Sequence, residues 1–152
     1  MKIFLTGVTG YIGKRLLIQL LEEGHHIVCS VRDKNHFGTH LYKNNLDQIE
    51  VFQHDFLEKK TKKNIPKDID AAYYLIHSMS SSDGDFSEKE KISAENFREV
   101  LEETSLKQVF FLTGIINEEK LSKHLQSRKN VEKAVQSSKY GLTSLRAGII
   151  VG

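Results

Sequence analysis

The stretch Lys2-Ile3-Phe4-Leu5-Thr6-Gly7-Val8-Thr9-Gly10-Tyr11-Ile12-Gly13-Lys14-Arg15-Leu16 decides how this chain is read. Ile3 to Leu5 is a short apolar, strand-prone run. Glycines follow at positions 7, 10 and 13, and an amphipathic helical pattern begins at once. That order predicts a strand, a glycine-rich turn and a helix N-terminus. The spacing has a chemical reason. Gly7 lets the chain turn tightly off the strand, and Gly10 removes a Cβ that would block a pyrophosphate. Gly13 lets the helix pack closely on the sheet. The free N–H groups and dipole of that helix then favour phosphate. Glycines alone also make plain turns; the strand before and the helix after point to a dinucleotide.

Outward from this loop, Leu16, Leu17, Leu20 and Leu21 repeat at helical spacing, with Gly24 as a C-terminal stop. Ile27 to Val31 reads as a second strand, Phe37 to Asn45 as a short helix, and Ile49 to Gln53 as a third strand. The Lys-rich run from Glu58 to Lys63 reads as a solvated surface segment. Ala71 to Ile76 is a fourth strand, Ser78 to Asp85 a Ser/Gly/Asp loop, and Phe86 to Glu103 a helix. Val109 to Leu112 gives a fifth strand. Glu119 to Ser138 gives a long helix that ends at Gly141, and Leu142 to Arg146 a sixth strand. Alternating strands and helices predict an α/β fold: a doubly wound parallel sheet of Rossmann type, order 3-2-1-4-5-6, with helices on both faces.

Composition narrows the function classes. The 152 residues suit one domain, and a net charge of +2 gives no argument for a nucleic-acid or membrane partner. The single Cys29 sits in an apolar run, where it reads as a buried thiol in a reducing compartment. No run is long enough to span a bilayer and no charged segment with a long apolar core precedes the first strand, so a cytoplasmic protein is expected.

With Thr6 in front, the loop reads Thr-Gly-x-x-Gly-x-x-Gly. In this it resembles the extended and atypical short-chain dehydrogenase/reductases. The resemblance implies an NAD(P) cofactor on Gly7, Thr9, Gly10, Tyr11, Ile12 and Gly13. NAD-specific relatives carry an acid at the end of the second strand, where this chain has Val31 followed by Arg32. A guanidinium suits a 2′-phosphate by its charge and forked donors, so NADP is expected and NAD is the alternative. Asp33 lies where the general fingerprint expects an acid, and Arg32 also fits an ordinary surface charge.

The resemblance sets Asp55-Phe56-Leu57 beside the adenine, although a turn-forming aspartate fits as well. It sets Ile76-His77-Ser78 over the cofactor, and His77 fits equally a packed histidine with no ligand. Asn96 matches a structural asparagine of the family. Leu145-Arg146-Ala147-Gly148 matches a Leu-Arg-Pro-Gly segment that leads into a substrate-binding part. The chain is therefore expected to be residues 1–152 of a truncated protein, a cofactor domain without most of its substrate pocket.

The family's Tyr-x-x-x-Lys on the long helix donates the proton and holds the nicotinamide ribose. This chain keeps the frame as His124-Leu125-Gln126-Ser127-Arg128-Lys129-Asn130-Val131-Glu132, with His124 for the tyrosine and Arg128 for the lysine. An imidazole can shuttle a proton near neutral pH, whereas Arg128 holds a ribose but does not titrate. Thr113, ending the fifth strand, stands near the family's catalytic serine. His124, Arg128 and Thr113 are the catalytic candidates. The departure resembles the NmrA-like NAD(P)H-binding subset with an additional C-terminal domain, as do Tyr74-Leu75-Ile76-His77-Ser78-Met79 and Leu121-Ser122-Lys123-His124-Leu125-Gln126-Ser127-Arg128.

Two constellations read as bland. His36 and His40 flank Phe37-Gly38-Thr39, which holds no glutamate, so zinc chemistry of the His-Glu-x-x-His kind is absent and no metal is expected. Ser80-Ser81-Ser82 lacks a nucleophile elbow. Two functions remain: an NADP-dependent oxidoreductase acting on an unknown small molecule, and a cofactor-binding sensor or assembly module without turnover. The His124/Arg128 replacement favours the second or an unusual mechanism. Either leaves homodimer formation open.

Overall fold

The structure is a computed structural model and describes residues 1–58, 65–77, 86–115 and 123–148, without the side chains of residues 39, 41, 123 and 124. The expected Ser78 to Asp85 loop, the serine triplet, most of the Lys-rich run and the first turn of the expected long helix lie outside the described residues.

Six parallel strands form one sheet in the order β3-β2-β1-β4-β5-β6. They are β1 (Lys2–Leu5), β2 (His26–Val31), β3 (Ile49–Gln53), β4 (Ala71–Tyr74), β5 (Gln108–Gly114) and β6 (Gly141–Ala147). The helices are α1 (Tyr11–Glu22), α2 (Phe86–Leu101) and α3 (Lys123–Val135). The doubly wound expectation therefore holds, strand order included.

The two-residue period of the strands sorts the core into two layers. Ile3 and Leu5 of β1, with Ile27, Cys29 and Val31 of β2, face Leu17, Leu20 and Leu21 of α1. Phe4, Val28, Ala72 and Tyr74 point the other way, against Phe97 and Leu101 of α2 and Val131 and Val135 of α3. Because both faces are covered, the central strands are apolar without alternation, as parallel strands are. Cys29 is free and buried, and burial pushes its thiol up to about 12.

Element ends follow local chemistry. Gly24, at φ +77°, closes α1 with two backbone bonds, His25 N–H to Leu20 O at 3.1 Å and Gly24 N–H to Leu21 O at 3.0 Å. The expected helix over 37–45 is instead a pair of 3-10 segments, Lys34–His36 and Thr39–Gln48, the second broken at Tyr42 and Asn45. That stretch has no sustained apolar stripe to hold an α-helix. The last helix ends at Val135 and not at Gly141. Tyr140 is turned inward, donating its hydroxyl to Val135 O at 2.5 Å, and Gly141 already belongs to β6.

The sheet order reverses between β1 and β4, and there the strands part. Thr6 bridges the gap: its N–H and Oγ1 both donate to Tyr73 O, at 3.1 and 3.0 Å, while Oγ1 accepts from Leu75 N–H at 2.9 Å. A crevice opens at the carboxyl ends of the strands, where doubly wound sheets bind ligands.

Candidate functional site: a cavity at the sheet's carboxyl edge

The first wall of this crevice is backbone. Gly7 sits at φ +67°, and a Cβ there would also meet Leu75 O at 2.8 Å. At Gly13 a Cβ would come within 2.1 Å of Gly7 O and 2.9 Å of Val8 Cα. So Gly13 is needed for packing against the glycine loop itself; the expected close approach to the sheet is corrected in that respect. Gly10 is exposed and N-caps α1 without a side-chain cap, and the helix's first turn holds no acidic residue. The N-terminal N–H groups and the positive end of the dipole are thus left for an anion.

The cavity measures about 910 Å³ and is lined from the loop by Gly7, Thr9, Gly10, Tyr11, Ile12 and Gly13. Arg32, Asp55, Phe56, Ile76, His77, Thr113 and Arg128 complete it among the residues expected from the sequence. Two expected residues cannot be placed: Ser78 and the side chain of His124 lie outside the described residues. The volume is that of a ligand pocket.

Individual roles differ. Arg32 is exposed at the end of β2 and lines the cavity, whereas Asp33 does not. Asp33 Oδ1 accepts from Asn35 N–H at 2.8 Å and Oδ2 meets His36 Nδ1 at 2.8 Å. The Asn35 N–H, followed by the His36 imidazole, holds the Asp33 carboxyl below its ordinary value. Asp55 Oδ1 accepts from Leu57 N–H at 2.9 Å, the aspartate turn that its sequence also fitted. Phe56 is only 3% exposed and packs edge-on against Phe97 and His54, so its ring belongs mostly to the core. Asn96 is structural, its Nδ2 donating to Phe56 O at 2.6 Å.

The opposite wall is made of side chains. Arg128 is buried, its Nη1 donating to Ile76 O at 3.3 Å and its Nη2 to Leu112 O, with the guanidinium over the Phe111 ring. It therefore ties together the ends of β4 and β5 at the cavity wall. Burial pulls its pKa down from the ordinary value while Glu90 pulls it back up; an arginine keeps its charge through such a shift. Glu90, which the sequence reading missed, is 2% exposed and stands 3.8 Å from Arg128 Nη1. Tyr74 and Ser93 pair through their hydroxyls at 3.3 Å, and burial pushes the tyrosine's pKa up. Thr113 Oγ1 is buried with no hydrogen-bond partner among the described residues. A buried hydroxyl bordering a cavity in that condition is one a ligand would satisfy. His54, Ser93 and Leu125 also line the cavity without having been expected.

The model of an NAD(P)H-binding family matches residues 7–150. The chain belongs to that family. Its uncapped helix, its glycine cradle and the orphaned Thr113 hydroxyl fit such a cofactor. Solved structures agree on the fold. A yeast methylglyoxal/isovaleraldehyde reductase complexed with NADPH superimposes with a TM-score of 0.77 at 15% identity, over 96% of this chain and 57% of its own. A nucleoside-diphosphate-sugar epimerase from Staphylococcus aureus gives 0.75 at 19%, over 96% and 50%. UDP-N-acetylglucosamine 4-epimerase from Bacillus cereus gives 0.71 at 17%, over 96% and 53%. This chain thus spans about half the length of these structures. No curated protein matches it by sequence. Among the described residues no helix is long and apolar enough to cross a membrane, and no group of three or more His, Cys, Asp or Glu could hold a metal ion.

Proposed function

We propose that this NAD(P)H-binding domain prefers NADP(H) and serves a dehydrogenase/reductase-type oxidoreductase in the cytoplasm. The observation that carries the preference is the contrast at the end of β2. Arg32 lines the cavity with no ion pair among the described residues, whereas both Asp33 oxygens are engaged by Asn35 and His36. A 2′-phosphate would meet a free guanidinium there, and a ribose diol would find no free carboxylate. In this reading the α1 N-terminus holds the pyrophosphate, and Thr113 and Arg128 border the nicotinamide end. When bound, the cofactor supplies a hydride; the chain's residues orient it and handle the proton.

Calorimetric titration tests the preference. A charge-assisted phosphate contact contributes about 1.5–3 kcal/mol, so NADPH is expected to bind roughly ten- to a hundredfold more tightly than NADH. Arg32→Ala should erase most of that margin. Equal affinity of the unmutated chain for both would contradict it.

A second reading, a cofactor-binding sensor without turnover, draws support from Arg128. Where the resembled enzymes carry a lysine on the ribose, this guanidinium spends two donors on the Ile76 and Leu112 carbonyls. The readings separate on whether full-length protein oxidises NADPH with any aldehyde or ketone.

A further inference from the structure

Behind the cavity wall, a carboxylate, an imidazole and a guanidinium meet from three elements. Glu90, on α2, is nearly fully buried, a costly position for a carboxylate unless its oxygens are paired. Oε2 accepts from Ser127 Oγ at 2.7 Å, and Oε1 meets His77 Nδ1 at 2.9 Å. Arg128, on α3, balances the charge. The His77 side chain itself stays 41% exposed and lines the cavity just past β4. Among the described residues its Nε2 has no hydrogen-bond partner.

An imidazole held through Nδ1 by a carboxylate has its tautomer and orientation fixed and its Nε2 free for proton transfer. Two features suit the cluster to that work. Ser127 and Arg128 hold Glu90 independently of His77, so the ring can gain or lose a proton without orphaning a buried carboxylate. Thr113, whose hydroxyl lacks a partner among the described residues, lies near the end of the neighbouring strand β5 and offers a second contact to a substrate oxygen.

We propose that His77, positioned by Glu90, is the proton-transfer residue of this cavity and acts on a carbonyl or alcohol substrate. This rests on the oxidoreductase reading above. In the reducing direction the carbonyl carbon gains the hydride of the reduced nicotinamide, and the oxygen gains the proton from His77 Nε2. The ring returns to its neutral form, its remaining proton on Nδ1 and donated to Glu90. The oxidising direction reverses each transfer. The role left open by the missing tyrosine is thereby filled from the end of β4 and not from α3.

Three measurements decide the matter together. Calorimetry with NADPH comes first: failure of the unmutated chain to bind would remove the underlying reading, separately from the role of His77. His77→Gln is expected to keep NADPH affinity within about threefold. Heteronuclear NMR of the histidine rings should find the neutral His77 protonated at Nδ1 with Nε2 bare, and a mixture of tautomers in Glu90→Gln. A neutral ring that carries its single proton on Nε2, with Nδ1 bare, in the unmutated chain would overturn the proposal. In full-length protein, NADPH oxidation over a set of aldehydes and ketones that includes methylglyoxal should fall on the order of a hundredfold or more in His77→Gln. Glu90→Gln should lower kcat with KM retained. Turnover that survives His77→Gln, loss confined to His124→Phe, or cofactor binding with no turnover at all would each overturn it.

Discussion

The cavity's two walls are built from different materials. On the β1–α1 side the ligand-facing groups are backbone: glycine Cα atoms, loop N–H groups and a helix end with no capping side chain. On the β4–β5 side they are side chains: His77, Arg128 and Thr113 line the cavity, and the buried Glu90, held by Ser127, stands behind His77 and Arg128. The first wall is intolerant of an added atom and has no charged side chain of its own among its loop residues. The second is sensitive to charge and hydrogen-bond count. One wall suits binding a constant group such as a pyrophosphate; the other suits chemistry that differs from protein to protein.

The largest expected effect comes from the second wall. Glu90→Ala leaves Arg128 buried without its carboxylate, and breaking one side of a buried charge pair costs about 3–5 kcal/mol. Denaturant unfolding should show a loss of that size, and Glu90→Gln, which keeps volume and hydrogen-bonding capacity, should lose less. Equal losses would mean that charge alone, and neither packing nor hydrogen bonding, holds this wall. Next comes Gly13→Ala. Its Cβ would meet backbone at 2.1 Å, which cannot yield as a flexible side chain would. A loss of about 1–3 kcal/mol is expected, together with NADPH affinity, by calorimetry. Gly24→Ala is the matched control. Its φ is +77° but nothing lies within 4 Å of the added Cβ, so only the left-handed backbone penalty of about 1 kcal/mol applies, with cofactor binding intact.

The smallest expected effect concerns Cys29. Burial raises its thiol well above the ordinary cysteine value, to about 12. A folded-state acid raised above its unfolded value contributes stability that is present at lower pH. That contribution is lost as pH rises from about 9 towards 12, because the unfolded chain releases its proton first. Thiol labelling at pH 8 should therefore be slow and limited by opening of the fold. Rapid labelling of native protein would show that β2 is less protected than its burial implies.

The difference between the walls also explains what could be read from the sequence. A glycine at a fixed offset from an apolar run has few explanations, so the loop, the strand order and the cofactor family were legible together. The boundaries that slipped were those without such punctuation. Thr39–Gln48 wound into broken 3-10 turns, and α3 stopped at Val135 because Tyr140, not Gly141, shapes that corner. Glu90 was hidden because Glu88-Lys89-Glu90-Lys91 looks like a solvated helix face. Its position gives it away only once the buried stripe Glu90, Ala94, Phe97, Leu101 is seen. Arg128 begins the matching stripe on α3, ahead of Val131 and Val135. Two charges head two apolar stripes that pack together, and only the tertiary fold brings their ends to one cavity. Arg32 and Asp33 illustrate the same limit: adjacent in sequence, they are told apart by which one the 3-10 turn engages.

The central claim is that the glycine loop and the start of α1 receive a cofactor's pyrophosphate. Amide NMR of the chain during titration with NADPH tests it most directly. The account predicts that the largest shifts fall on the N–H groups of Thr9 to Gly13, with smaller ones at Arg32 and Thr113, and that Gly10→Val abolishes them while the rest of the spectrum stays folded. Saturable NADPH binding that leaves Thr9 to Gly13 unmoved, or binding undiminished in Gly10→Val, would contradict it.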